Sequence, residues 1–159
     1  MSSKSTLTLP SDREILMSRV FDAPRELVYK AMTDPTMIPQ WWGLRTTTTV
    51  IDKYDFRVGG EYRFVQREAD GTEYGFRGEI REIKPLERVV QTFEFEGMPG
   101  HVVVDTMTLE DLGNGKTRVS TLSTFDSKED RDGMMASGME TGANESWDLL
   151  AELLTKQQA

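Results

Sequence analysis

Two side chains in this sequence are suited to moving a proton near neutral pH, His101 and Asp105, and they stand four residues apart. His101 is the only histidine and sits where a strand begins after Pro99-Gly100. It is a candidate general acid or base, or else simply a polar group at a strand end. Asp105 alternates with Val103 and Met107, which turns it inward if that side of the strand is the buried one. Val102, Val104, Thr106 and Thr108 make an equally good inner face, so the alternation leaves the buried side open. An inward carboxyl has a raised pKa and is a candidate base.

No other pattern of catalytic residues is present. The chain has no cysteine, which excludes disulfides, thiolate catalysis and cysteine metal sites. With one histidine as well, any transition-metal site would have to be mostly carboxylate, so neither a metal nor a cofactor is expected. Gly115-Lys116-Thr117 imitates the tail of a phosphate-binding loop, but Glu110 stands where that loop needs its first glycine, and a strand follows instead of a helix. Gly-x-Ser-x-Gly, His-Glu-x-x-His, Gly-x-Gly-x-x-Gly and calcium-loop motifs are all missing.

The aromatic residues suggest a different use. Tyr62 and Phe64 share one strand face, Tyr74 and Phe76 a second, Phe93 and Phe95 a third, while Trp41, Trp42 and Trp147 come from helical segments. These can be an ordinary core or the lining of an apolar cavity. Glycines favour the cavity: Gly133, Gly138 and Gly142 lie in or between the last helices, where an interior glycine costs about 1 kcal/mol relative to alanine. They imply either a close approach to the sheet or space left by missing side chains. Small Gly142, Ala143 and Ser146 precede bulky Leu149, Leu150, Leu153 and Leu154, which predicts a sealed C-terminal end and a roomier N-terminal end. The expected ligand-lining set is Trp42, Tyr62, Phe64, Tyr74, Phe76, Phe93, Met135, Met139, Ala143 and Trp147, with Trp42 or Met135 near the mouth and Met134 beside it.

The elements that must position these residues are readable along the chain. Arg13–Phe21 is a first strand. Asp22 is a candidate cap and Pro24 is tolerated in the first turn of a helix that buries Leu27, Val28, Ala31 and Met32. Asp34-Pro35 ends it, and a second short helix carries Trp41 and Trp42. Residues 46–51, 61–67, 73–83, 88–95, 101–110 and 117–125 follow as strands separated by short turns, Asp70-Gly71 and Gly113-Asn114-Gly115 among them, which implies an antiparallel meander. Asp126 or Ser127 can cap a helix near Lys128, and a broad apolar stripe from Met139 onward marks one long terminal helix ending near Thr155. This is an α+β arrangement: a curved antiparallel sheet of six or seven strands with the long helix packed across it. Residues 13–155 form one domain, residues 1–12 a flexible or edge-pairing leader, and 156–159 a tail.

At 159 residues, 37% hydrophobic and 29% charged, the chain suits one ordered soluble domain. Its net charge of −8 repels nucleic-acid phosphates, and acidic neighbours interrupt the densest cationic set, Arg63, Arg67, Arg77 and Arg81. The first residues lack the apolar core of a signal peptide and no run approaches a membrane span, which predicts a cytoplasmic protein with neither nucleic acid nor membrane as partner.

The residues in this order resemble the START-like superfamily (birch-pollen-allergen-like, SRPBCC), which has the helix-grip fold. Within it the chain is similar to the branch related to the activator of the heat-shock protein 90 ATPase. The match is carried by Phe21-Asp22-Ala23-Pro24, Thr33-Asp34-Pro35, Trp41-Trp42-Gly43 and Gly59-Gly60 with Tyr62-Arg63-Phe64. It continues through Asp70-Gly71-Thr72-Glu73-Tyr74, Gly78, Glu82-Ile83 and Pro85-Leu86-Glu87-Arg88 to Gly138-Met139-Glu140-Thr141-Gly142, Ser146 and Leu150. The resemblance implies a hydrophobic cavity between sheet and terminal helix, used for ligand binding in many members and for cyclase or related chemistry in some.

The expected function is therefore that of a small-molecule carrier or sensor, monomer or homodimer, enclosing an apolar, aromatic or acyl ligand. One alternative is a cyclase- or hydrolase-type enzyme using the same cavity, with His101 or Asp105 as its polar agent. The other is a regulatory module that binds a protein partner, by analogy with the co-chaperone branch.

Overall fold

The computed structural model describes residues 5–159, and the first four residues of the expected leader lie outside the described residues. Eight strands form one antiparallel sheet: β1 (Thr6–Thr8), β2 (Glu14–Phe21), β3 (Thr48–Tyr54), β4 (Glu61–Arg67), β5 (Glu73–Lys84), β6 (Arg88–Phe95), β7 (Val103–Gly113) and β8 (Lys116–Thr124). Their order across the sheet is β1-β2-β8-β7-β6-β5-β4-β3, so the β3–β8 meander is joined to β2 by its last strand. The eighth strand, beyond the seven read from the sequence, is β1, which pairs Leu7 with Met17 at one edge.

The helices are α1 (Arg25–Thr33), α2 (Lys128–Ala136) and the 19-residue α3 (Met139–Gln157). Asp22 does not cap α1. The helix begins one residue after an extended Pro24 with no side-chain cap, and Asp22 instead approaches Lys116 at 3.4 Å. The second short helix is a single 3-10 turn, Ile38–Gln40, and Trp41 and Trp42 lie just past its end. Ser127 caps α2 by accepting from the Asp130 N–H, with Glu129 and Asp130 in the first turn where the helix dipole favours acids. Gly138 joins α2 to α3 in the left-handed conformation (φ 84°), which glycine adopts at no steric cost.

Side-chain alternation gives the sheet two unlike faces. The outer face carries cross-strand ion pairs, among them Arg63 with Glu96, Arg67 with Glu73, Arg77 with Glu94 and Arg118 with Glu110. The inner face carries the apolar set and receives α1 and α3. Phe21, Leu109 and Val119 from strands close on Val28 and Ala31 of α1 and on Trp147, Leu150, Leu153 and Leu154 of α3. A smaller cluster, Ile15, Val103 and Phe125, is covered by Met134 and Met135 of α2. Ile38, Tyr62, Phe64 and Ile80 form a third under the 3-10 turn.

A buried cation holds the terminal helix to the sheet. Arg19, 4% exposed on the inner face of β2, donates to Asp148 of α3 at 2.7 Å and lies over the Phe21 ring. Such a pair is weak evidence for stability, but its geometry fixes the helix against one strand.

Candidate functional site

The floor of the site is set by register. Phe64 on β4 lies opposite Phe76 on β5, and Phe76 opposite Phe95 on β6, so these rings and Phe93 share the inner face. Phe76 stacks on Phe93 with centroids 5.5 Å apart and on Phe95 at 5.2 Å. Trp42 descends on this row edge-first, 5.1 Å from Phe64 and 5.3 Å from Phe76, offset edge contacts that aromatic quadrupoles favour. Tyr62 pairs in register with Gly78, and a Cβ there would meet the Tyr62 ring at 2.6 Å and the Thr92 carbonyl oxygen at 2.0 Å. The glycine is what lets Tyr62 lie across β5 and donate its hydroxyl to that carbonyl.

Trp42 is held by polar groups that the sequence reading does not single out. Gln66 donates to the Trp42 carbonyl at 3.2 Å, and the Thr49 hydroxyl donates to the same oxygen. Ser146 of α3 donates to the Trp41 carbonyl at 2.8 Å and accepts from the Gly43 N–H at 3.3 Å. β3, β4 and α3 thus grip the loop that presents Trp42. The only signal for this in the sequence is that Gln66 occupies an inward position of β4.

Asp105 settles the question the alternation leaves open. Val103 and Leu109 are 6% and 5% exposed, so the Val103–Leu109 face is the inner one and Asp105 points into the fold. It stands directly between Gln91 of β6 and Ser123 of β8, and the Ser123 hydroxyl donates to Oδ1 at 2.7 Å. Burial pushes the carboxyl up to about 6, against the smaller opposing effect of the Ser123 hydrogen bond. Its surface is nonetheless only partly covered. The carboxyl is thus largely desolvated without being sealed off.

His101 stands elsewhere. It precedes β7, half exposed, with Nδ1 2.9 Å from Asp130 of α2. It and Asp105 are not brought together, because residues four apart on a strand are separated by roughly 13 Å.

The remaining expected residues divide between regions. Met135 is packed with Met134 over the Ile15 cluster, and Met139 and Ala143 are partly buried in the first half of α3. Trp147 belongs to the main core, edge-on to Phe21 at 5.8 Å. Tyr74 sits at the margin, 38% exposed and 6.2 Å from Phe95. Neither helix glycine serves a close approach. A Cβ on Gly133 would meet nothing within 4 Å, and one on Gly142 only the Leu44 side chain at 3.7 Å.

Two concavities are prominent. One of about 650 Å³ lies against the outer face, beside Val50, Arg63, Val65, Gly75 and Glu96, where ion pairs cross it. The other, about 170 Å³, is a pit beside Trp41, Trp42, Thr49 and Leu149. Neither is the expected space under the first half of α3. Inward-facing Phe76, Gln91, Phe93, Asp105, Met107, Thr121 and Ser123 nonetheless all remain partly exposed. Among the described residues no three acidic or histidine side chains are grouped to hold a metal ion, and no helix is long and apolar enough to cross a membrane.

The family model described as "Activator of Hsp90 ATPase homolog 1-like protein" matches residues 22–155. No curated protein matches the chain. Among solved structures, a protein from Rhodobacter sphaeroides superposes with a TM-score of 0.89 at 23% identity, covering 96% of this chain and 99% of its own. One from Arthrobacter aurescens gives 0.87 at 25% identity, covering 95% and 91%, and one from Chromobacterium violaceum 0.80 at 28% identity, covering 91% and 98%.

Proposed function

Because the chain belongs to the family of proteins like activator of Hsp90 ATPase homolog 1, whose model spans residues 22–155, we propose that it uses the shared α+β fold to bind a small apolar or aromatic molecule. The ligand occupies the recess between the inner face of the sheet and the first half of α3. The observation that supports this reading is the part-exposure of Phe76, Phe93, Asp105 and Ser123, which face inward yet stay open to solvent. In a packed interior such positions are closed, as Val103 and Leu109 are on the same strand. Trp42, held by three elements, forms one wall, and Met135 and Met139 supply adaptable margins.

The test is a calorimetric titration with 2-methylnaphthalene, a flat neutral probe. Saturable one-to-one binding that is lost in Ala143→Phe is the expected result, and no binding to the unsubstituted protein would remove the reading. Mass spectrometry of small molecules carried through purification identifies the natural ligand.

A second reading, acid–base chemistry in the same recess, has one observation in its favour: Asp105 is pushed up to about 6, close to the working range of a general acid or base. His101 instead pairs with Asp130 of α2, so this reading rests on Asp105. Once a substrate is known, Asp105→Asn with an unchanged rate eliminates it.

A further inference from the structure

The recess has a single charged group on its floor, and that group lacks a charged partner among the described residues. Asp105 Oδ1 accepts from Ser123, while Oδ2 accepts from no side chain or backbone group among the described residues. Nor is Oδ2 sealed off, since among the described residues the buried unpartnered polar atoms are Ser5 Oγ, Arg19 Nε and Arg25 Nε. Among the described residues no cation answers it. Arg19, the inward-facing arginine of β2, is committed to Asp148, and Arg131 of α2 is turned to the Ser11 carbonyl and Asp132. An isolated carboxylate in a partly desolvated site is costly unless something supplies the opposite charge.

Building on the ligand-binding reading above, we propose that the recess is a site for a cationic amphiphile, a molecule with a flat apolar body and a protonated nitrogen that donates to Asp105 Oδ2. The body lies against Phe76, Phe93 and Trp42. Phe93 is diagonal to Asp105 across the β6–β7 pair, and the negative faces of these rings favour a cation as well as an apolar surface. Tyr62 closes the far side. Burial and the neighbouring Asp105 carboxylate raise its pKa, so it stays neutral and its hydroxyl stays on the Thr92 carbonyl. The overall charge of −8 draws cations toward the protein and opposes anionic ligands.

The titratable groups on the surrounding elements are few. β6 and β8 present Gln91 and Ser123, β4 presents Tyr62, and β2 presents Arg19 with its Asp148 partner on α3. Glu140 and Glu145 lie on the first half of α3, and His101 is tied to Asp130 at the edge. Asp105 is the group among them that sits on the recess floor and loses its charge as pH falls through about 6.

Three isosteric probes test the proposal: 2-(aminomethyl)naphthalene, 2-methylnaphthalene and 2-naphthoate, titrated into the whole protein at pH 7.5. A charge-assisted hydrogen bond makes the amine bind about tenfold or more tighter than the methyl compound, with the carboxylate weakest. Asp105→Asn abolishes the amine preference, so that the amine and the methyl compound bind alike. A second measurement needs no variant: in the unsubstituted protein the preference fades as pH is lowered from 7.5 to 5, where the amine remains protonated and Asp105 does not remain ionised. Equal binding of amine and methyl compounds, or a preference that survives Asp105→Asn, overturns the cation site and leaves the apolar recess standing. Absence of binding by all three overturns both.

Discussion

The inner face of β7 and β8 is built in two ways along one pair of strands. Beneath the second half of α3, Leu109 and Val119 meet Leu150, Leu153 and Leu154, and all are at most 5% exposed. A few residues away, Asp105, Met107, Thr121 and Ser123 occupy the same kind of inward position and stay partly exposed. The helix sequence explains the difference. Its later turns present leucine at helical spacing, whereas its first turns present Thr141, Gly142, Ala143 and Asn144, of which Ala143 packs at the margin of the main core. A stretch of small residues over a floor of phenylalanines and one aspartate is a poor way to fill a core and a good way to leave room. Stability is thus concentrated in one part of the fold, which frees the other to carry a polar group in an apolar setting.

That contrast is most severely tested at its closed side. Leu150 is fully buried, so Leu150→Ala should cost about 2–5 kcal/mol through lost transfer energy and the cavity left behind. Met139→Ala, at the open side, should cost less than about 1 kcal/mol, as partly exposed positions do. Urea unfolding of both variants reads the difference. Comparable losses would mean that the first half of α3 is packed as tightly as the second.

The second effect has the opposite sign. Asp105 titrates at about 6 in the folded protein and at 3.8 in its unperturbed state, so the native state holds the proton more tightly. Above pH 6 the folded protein bears a buried charge, and the full penalty is present; it is relieved as pH falls from 6 toward 4. Two pKa units correspond to at most about 3 kcal/mol. Asp105→Asn, which keeps the Ser123 hydrogen bond and removes the charge, should therefore raise stability at pH 7.5 and give no gain near pH 4. A variant less stable than the parent at pH 7.5 would show that the carboxylate is well solvated or paired.

How much of this was legible beforehand follows from which forces are local. Alternation, turn chemistry and the apolar stripe of α3 are local, and they place the strands from β2 to β8 within a few residues, with β4 and β6 at their observed limits. The Asp22 cap fails because Pro24 delays the helix to Arg25, leaving Asp22 two residues too early. The inner face of β7 was ambiguous because valines and threonines occur on both of its sides. Only the register with Ser123 and Gln91 and the burial of Leu109 decide it, and these are long-range facts. Ser123 and Gln66 escaped notice for the same reason. A serine in a threonine-rich strand, or a glutamine between arginine and valine, acquires its role from a neighbour far away in the chain.

A third substitution probes the recess from above. Ala143→Phe places a ring where the first half of α3 faces the sheet. If that region is open, stability changes by less than about 1 kcal/mol and binding of 2-methylnaphthalene is lost, because the new ring takes the ligand's place. If the region is closed packing, the same ring costs about 1–3 kcal/mol by strain. Thermal melting together with calorimetry separates the two, since only an open recess couples unchanged stability to lost binding.

The smallest effect concerns His101, and it sharpens the comparison at the edge of the open side. His101 joins the segment before β7 to Asp130 of α2, the helix whose Met134 and Met135 cover Ile15, Val103 and Phe125. Its side chain is 52% exposed, so the contact is worth less than about 1 kcal/mol and His101→Ala should barely move the unfolding midpoint. The consequence is local instead. With the tie removed, α2 has fewer anchors to the sheet, and its amide protons should exchange faster than those of the Leu150–Leu154 turn, whose rate stays fixed by the main core. Amine binding in the recess should persist, because His101 does not reach Asp105. Loss of that binding in His101→Ala, with the fold intact, would place His101 in the site and join two groups that the structure holds apart.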